Sequence, residues 1–174
     1  MASPYPDPLA LSRRVLRLVI ALNILMGALI LVLLISTFVN EAWVARALGV
    51  GPAPASSRLI IAMRLIMILG IAATPIVHLV LTRLLAIVET VSVGNAFILE
   101  NADRLKSIAW AILALELMHF AVGMIAKAVS SDVAQMNIDW GFSLTRWLAV
   151  LMLFVLARVF EQGARMREDL EGTI

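Results

Sequence analysis

The sequence predicts an all-α integral membrane protein: four transmembrane helices in an antiparallel bundle, both termini inside, with the fourth helix extended into the cytoplasm. Three observations carry this. Four long apolar stretches, about residues 15–39, 59–82, 107–128 and 143–161, fill most of the 174-residue chain, and a helix needs about 20 predominantly apolar residues to cross a hydrocarbon layer roughly 30 Å thick. Hydrophobic residues make up 62% of the chain and charged residues only 15%, against roughly 45–50% and about 25% in average proteins. The basic residues are also divided unevenly. Arg13, Arg14, Arg17, Arg83, Arg104, Lys106, Arg158, Arg165 and Arg167 fall on one side, and Arg46, Arg58, Arg64, Lys127 and Arg146 toward the other, nine against five of the 14 Lys and Arg. Positive loops are retained in the cytoplasm, so the richer side is the inner one.

The first residues, MASPYPDP, hold three of the six prolines and read as a short polar lead-in. The apolar run that follows, Val15 to Val39, is longer than the 7–15 residues of a secretory h-region and is expected to be retained as a membrane crossing. The first outer connection, about Asn40 to Arg58, contains Trp43, Gly51, Pro52, Pro54 and Ser56, which break a long helix and leave room for one short interfacial turn. In the second span, Pro75 is expected to bend the helix and free a carbonyl near residue 71. Beyond it Arg83 to Thr90 can continue as helix until VSVGNAF interrupts it at Gly94. The third helix should start around Ile98 to Asn101, with a polar opening turn whose acidic side chains suit the positive helix end. The second outer connection, near Ser130 to Trp140, is a solvated loop. Its Asp132 and Asp139 supply too few oxygens for the 6–8 ligands of a calcium cage. The fourth span loses its apolar character near Phe160, and Glu161, Gln162, Arg165, Glu168 and Asp169 can prolong it as a wet helical extension within a cytoplasmic tail, residues 162–174. Trp43, Trp110 and Trp140 stand at span ends as interfacial anchors. Asn23 with Gly27, Gly70 with Thr74, and Ala149 with Leu153 and Ala157 offer shallow surfaces for close helix approach.

Composition also excludes several functions. The net charge is only +2, with basic residues spread among the span ends, so direct nucleic-acid binding is not expected. The absence of cysteine removes disulfides, thiol nucleophiles and thiolate metal sites. No Ser-His-Asp arrangement, metal-ligand cluster or glycine-rich phosphate loop is present, and the two histidines lie on different helices. Neither enzymatic activity nor a metal or cofactor is expected, and the partner most plainly implied is the lipid bilayer.

The stretch GNAFILENADRLKSIAW and the ending LARVFEQGARMREDLEGTI carry a resemblance. They look like the bacterial membrane proteins grouped as domain of unknown function 2975, over about Leu59 to Ile174 and most specifically in REDLEGTI. Phe97, Glu100, Asn101, Arg104 and Leu105 match the family's loop pattern, while Ile98 stands where a Ser or Thr helix cap is expected. The resemblance implies a four-helix protein of the bacterial inner membrane, often encoded beside a small helix-turn-helix regulator. It therefore implies a membrane sensor that holds or releases a transcription factor. Such a partner would need a cytoplasmic surface, here assigned to Glu100, Asn101, Arg104, Glu168, Asp169 and Leu170.

A second candidate site comes from polar residues inside the spans, which are expensive when they face lipid. Glu116 is the most central ionisable one. Ile112, Glu116, His119, Gly123 and Lys127 share one stripe of the third helix, and Arg64, Ile68, Ile71, Pro75 and His78 share one of the second. Antiparallel packing would leave Arg64 roughly 10 Å from Glu116 in axial depth at about 1.5 Å per residue. Glu116, His119 and Arg64 therefore form a candidate ligand or sensing core, with a structural set that fixes helix register as the alternative reading. The alternative function it suggests is a small-molecule or proton transporter or binding protein. One four-helix chain encloses little aqueous volume, so such a protein would act as a homo-oligomer.

Overall fold

The computed structural model describes residues 8–47, 54–133 and 144–171, and every element among them is helical: α1 (Pro8–Val39), α2 (Glu41–Ala47), α3 (Pro54–Ser92), α4 (Leu99–Val133) and α5 (Leu144–Glu171). Three of these are long and apolar enough to cross a membrane, over Ala10–Val39, Arg58–Ser92 and Leu99–Ala128, and they suggest a membrane protein. α3 and α4 outrun their apolar stretches at both ends, α1 at its start and α5 at its end. Pro8 and Pro54 open α1 and α3, a first-turn position where the missing N–H is no loss and the fixed φ already suits the helix. The loop around Gly51 and Pro52, the lead-in before Pro8, Asn137, Asp139 and Trp140 of the second outer connection, and the last three residues of the tail lie outside the described residues. Ser130 to Asp132, expected as loop, continue the backbone of α4.

The chain divides into two compact units, one formed by Met1–Asn23, Ile76–Ala114 and Ser143–Ile174, the other by Ile24–Pro75 and Leu115–Phe142, with the boundary in α3 falling at Pro75. In the first unit α3, α4 and α5 meet in a core of Ile87, Leu105, Ile108 and Ala157, extended by Val80, Val91, Ile112, Leu153 and Phe160. Buried alanines let α4 and α5 approach closely: Ala102 and Ala109 on one, Ala157 and Ala164 on the other. The small-residue face of α5 therefore runs through Ala157 and Ala164; Ala149, expected on it, is exposed.

The α3–α4 connection is tightly specified. Asn95 N–H donates to Thr90 O and Gly94 N–H to Val91 O, both at 3.0 Å, which closes α3 with paired 6→1 and 5→2 bonds around Gly94 at φ 83°. That left-handed backbone is why VSVGN ends the helix where it does.

In the second unit α1 and α3 touch at glycine. A Cβ on Gly27 would lie 2.7 Å from Thr74 Cγ2, and Gly70 faces Ile30. Thr74 turns its hydroxyl back to Gly70 O at 3.2 Å, leaving its methyl to pack on Gly27. The shallow surfaces expected at Gly27 in the first span and at Gly70 with Thr74 in the second are thus used, Gly27 against Thr74 and Gly70 against Ile30. The apolar window of α1 buries none of its residues, and Leu18, Leu22, Leu25, Leu29 and Val32 are exposed, as suits a helix facing lipid.

Candidate functional site

The most elaborated polar structure lies in the first unit, where the α3–α4 loop, the start of α4 and the end of α5 are joined. Asn101 stands at its centre with 0% exposure. Its amide nitrogen donates to Thr90 Oγ1 and Ala96 O, each at 2.9 Å, and lies 3.4 Å from Asn95 O; its oxygen accepts from Arg104 Nη1 at 2.7 Å. Thr90 hands its own proton to Ile87 O at 2.8 Å. This network explains the missing cap at Ile98. The Ile98 carbonyl accepts from the N–H groups of Asn101 and Ala102, so the Asn101 N–H is satisfied without a cap side chain, and the Asn101 amide ties the loop carbonyls to the first turn of α4.

Phe97 fastens the same loop to α5. Its ring lies 5.1 Å from that of Phe160, and its Cδ1 sits 2.8 Å from where a Cβ on Gly163 would be. Gly163 is required by this close approach. Arg167 adds a hydrogen bond to Asn95 Oδ1 at 3.3 Å.

Glu161 anchors a charged cluster at this junction. The residue is 8% exposed, and its two oxygens accept from three cations: Lys106 at 3.2 Å, Arg158 at 3.1 Å and Arg165 at 2.8 Å. The hydrogen bond from Lys106, helped by that from Arg158, holds the carboxyl below its ordinary value of 4.5, against a smaller upward push from burial. A carboxylate whose pKa is lowered on folding stabilises the fold above its unfolded pKa, and that contribution is lost as pH falls through the folded value. Thermal melts in detergent should therefore show stability dropping at pH below 4.5, and Glu161→Gln should flatten this drop. An unchanged acid limb in the variant would show that Glu161 is not its source.

The expected partner-contact residues separate by exposure. Glu100, Glu168, Asp169 and Leu170 are exposed and Arg104 is half-buried, whereas Asn101 is closed inside and acts by holding the loop. The intramembrane candidates separate too. Glu116 and His119 line one open groove of about 390 Å³ with Ile66, Leu69, Gly70, Ala73, Leu115, Met118 and Val122. Arg64 does not line it. Its Nη2 donates to Thr37 O at 2.6 Å and Glu41 Oε2 at 2.9 Å, its Nε to Thr37 Oγ1 at 3.3 Å, and its guanidinium lies 4.3 Å from the centre of the Phe38 ring. A cation placed on a terminal carbonyl of α1 satisfies an orphan acceptor and opposes the negative helix end. Asn40 then caps α2, accepting from Trp43 N–H at 3.0 Å. Arg64 thus fixes the α1–α2 corner.

Sequence reasoning missed three of these features: the Lys106–Glu161 pair, the Phe97–Gly163 contact and the Arg64–Glu41 pair. Gly163 carried a signal, since glycine within a helix pattern points to close packing. Lys106 and Glu161, of opposite charge where the third apolar stretch begins and the fourth ends, carried another.

The elements that build this site coincide with a known family. A family model described as Protein of unknown function (DUF2975) matches residues 41–174. The chain belongs to this family. The match begins at Glu41 rather than near Leu59, so it takes in α2 and the Glu41–Arg64 pair, while α1, with Thr37 and Phe38, lies outside it. No curated protein and no solved structure matches the chain.

Proposed function

We propose that this chain is a multi-pass protein of the bacterial inner membrane, with both termini inside, whose α3–α4 loop and α5 extension form a docking surface that tethers a small helix-turn-helix regulator. The reading rests chiefly on one observation. The loop and the extension are joined through Phe97 and Gly163 and through Asn95 and Arg167, so Glu100, Arg104, Glu168, Asp169 and Leu170 belong to one assembled unit. Leu170 is 71% exposed beside two acidic residues, a composition suited to an apolar anchor with a charged rim. The regulator as partner class follows from the family resemblance.

The topology includes α5 as a fourth crossing in an antiparallel bundle. Its apolar run is bracketed by Arg146 and Arg158, about 18 Å apart at ~1.5 Å per residue, so the crossing is completed by long arginine side chains extending to the two interfaces. A chain ending after Met166 should lose the helix-turn-helix protein that co-purifies with the intact chain from native membranes, while remaining folded in detergent. Equal capture by both chains would remove the tail from the surface, and capture by neither would remove the tether.

The groove at Glu116 and His119 favours a second reading, a small-ligand or proton binding protein acting as an oligomer. Flux in proteoliposomes that is lost in Glu116→Gln would support it; an absence of flux in the intact chain would not.

A further inference from the structure

The charged cluster at Glu161 continues into an aromatic pair one helical turn away. Lys106 and Trp110 lie four apart on α4, Phe154 and Arg158 four apart on α5, so each pair shares a helix face. The two helices thus present two rungs. In one, Lys106 and Arg158 meet on the same oxygen of Glu161. In the other, the rings of Trp110 and Phe154 pack edge to face with centroids 5.3 Å apart. The rungs are separated by about 6 Å along the helix axis.

Both rungs face outward. The side chains of Lys106 and Arg158 are 43% and 68% exposed, and Trp110 is 63% exposed. Glu161 is an acceptor shared among three cations, Arg165 being the third. Asp103, 4.0 Å from Lys106 and on the side away from Trp110, adds a second carboxylate. Three positive charges against two negative leave a surplus, and each arginine has N–H groups beyond those spent on Glu161. The cations sit where the apolar run of α4 begins, at Ser107, and that of α5 ends, at Ala157; the aromatic rung lies inside both runs.

We propose that these two rungs form a binding site for an anionic phospholipid, with Arg158, Lys106 and Arg165 holding the headgroup phosphate and Trp110 and Phe154 supporting the glycerol and upper acyl chains. The site rests on the reading that α4 and α5 both cross the bilayer. A phospholipid presents an anionic head and an apolar body in this order and at this depth. A soluble acidic partner could reach the cations but would leave Trp110 uncovered in the hydrocarbon. Arginine forks suit phosphate oxygens, and basic residues at the cytoplasmic level of a span attract anionic lipid.

The test uses the full chain in neutral detergent, with thermal stability and tryptophan fluorescence read during titration with dioctanoyl phosphatidylglycerol, dioctanoyl phosphatidylcholine or inorganic phosphate. Phosphatidylglycerol is expected to stabilise the protein and shift its fluorescence, while the other two at equal concentration do neither. Arg158→Gln should weaken phosphatidylglycerol binding about fivefold, the effect of one basic residue at an anionic lipid surface, and Trp110→Leu should weaken it while leaving the selectivity over phosphatidylcholine. Arg13→Gln, outside the cluster, should bind as the unaltered chain does. Equal response to both lipids, a response reproduced by phosphate alone, or unaltered affinity in Arg158→Gln would overturn the site. The three-ligand comparison needs no variant, so it stands even where a substitution impairs folding. Regulator capture is measured separately, so failure of the tether and failure of the lipid site are told apart.

Discussion

Asn101→Ala is expected to destabilise the protein by roughly 3 kcal/mol, because removing one partner from a buried hydrogen bond costs about 1–3 kcal/mol for each group left unsatisfied. The groups concerned are Ala96 O, Thr90 Oγ1 and the guanidinium of Arg104. Arg104 is half-buried and regains water at little cost, so most of the loss comes from the loop carbonyl and the threonine. Chemical denaturation in detergent measures the total. Hydrogen exchange at Asn95 to Ile98 should rise with it, since the side chain of Asn101 is what holds these residues against the start of α4. Asn101→Asp separates the two halves of the network. It keeps the acceptor for Arg104 but deletes the amide donor, so it should recover part of the stability and none of the loop protection. A variant as stable and as protected as the unaltered chain would show that Gly94 and Phe97 suffice to place the loop.

Arg64→Met should cost about 2–3 kcal/mol, combining charge-assisted hydrogen bonds at roughly 1.5–3 kcal/mol with a cation–π contact of about 0.5–2, discounted because Glu41 is half exposed. Arg64→Lys should recover less than half. A single ammonium cannot span Thr37 O and Glu41 Oε2 while lying flat on Phe38. The same substitution separates a helix-corner clamp from a sensing core. In a double-mutant cycle, Arg64→Met and Glu116→Gln should be additive to within about 0.5 kcal/mol, as sites without a shared partner are. A coupling well beyond this would join Arg64 to the Glu116 groove.

Three spans were legible because apolar stretches of such length have few other fates, and because the charges lie mostly where those stretches end; the fourth stretch forms the helix α5. Helix ends were harder. Apolar length marks where a helix meets lipid, but α3 continues ten residues past Thr82 to Ser92 and stops only where Gly94 takes a positive φ. Among the site residues, Glu116 and His119 were found as neighbours by their three-residue spacing, which one helix guarantees. Arg64 is grouped with them by its stripe on the second helix and by axial depth, and neither determines which neighbouring residues that stripe meets. Its partners, Thr37 and Glu41, flank a corner whose geometry depends on where α1 ends. Asn101 was recognised through the family pattern and assigned to the surface because it is polar and sits in a charged turn. Its burial follows from the loop folding back over it, a non-local result that no periodicity encodes. Glu161 was read as one member of a helical pair with Arg165; its approach to Lys106 depends on the close packing of α4 and α5 allowed by Ala102, Ala109, Ala157 and Ala164.

The central claim is that the loop and the α5 extension are one surface, and the chain's lack of cysteine allows it to be tested directly in membranes. A Cβ at Gly163 would lie 3.5 Å from Phe97 Cγ, the position a sulfur would take in Phe97→Cys, and the spacing suits a disulfide with little backbone movement. Oxidation of membranes bearing Phe97→Cys with Gly163→Cys should give a cross-link within a single chain, seen as a shift in non-reducing electrophoresis that neither single substitution shows. A double variant that stays reduced, or that links only between chains, would contradict the account.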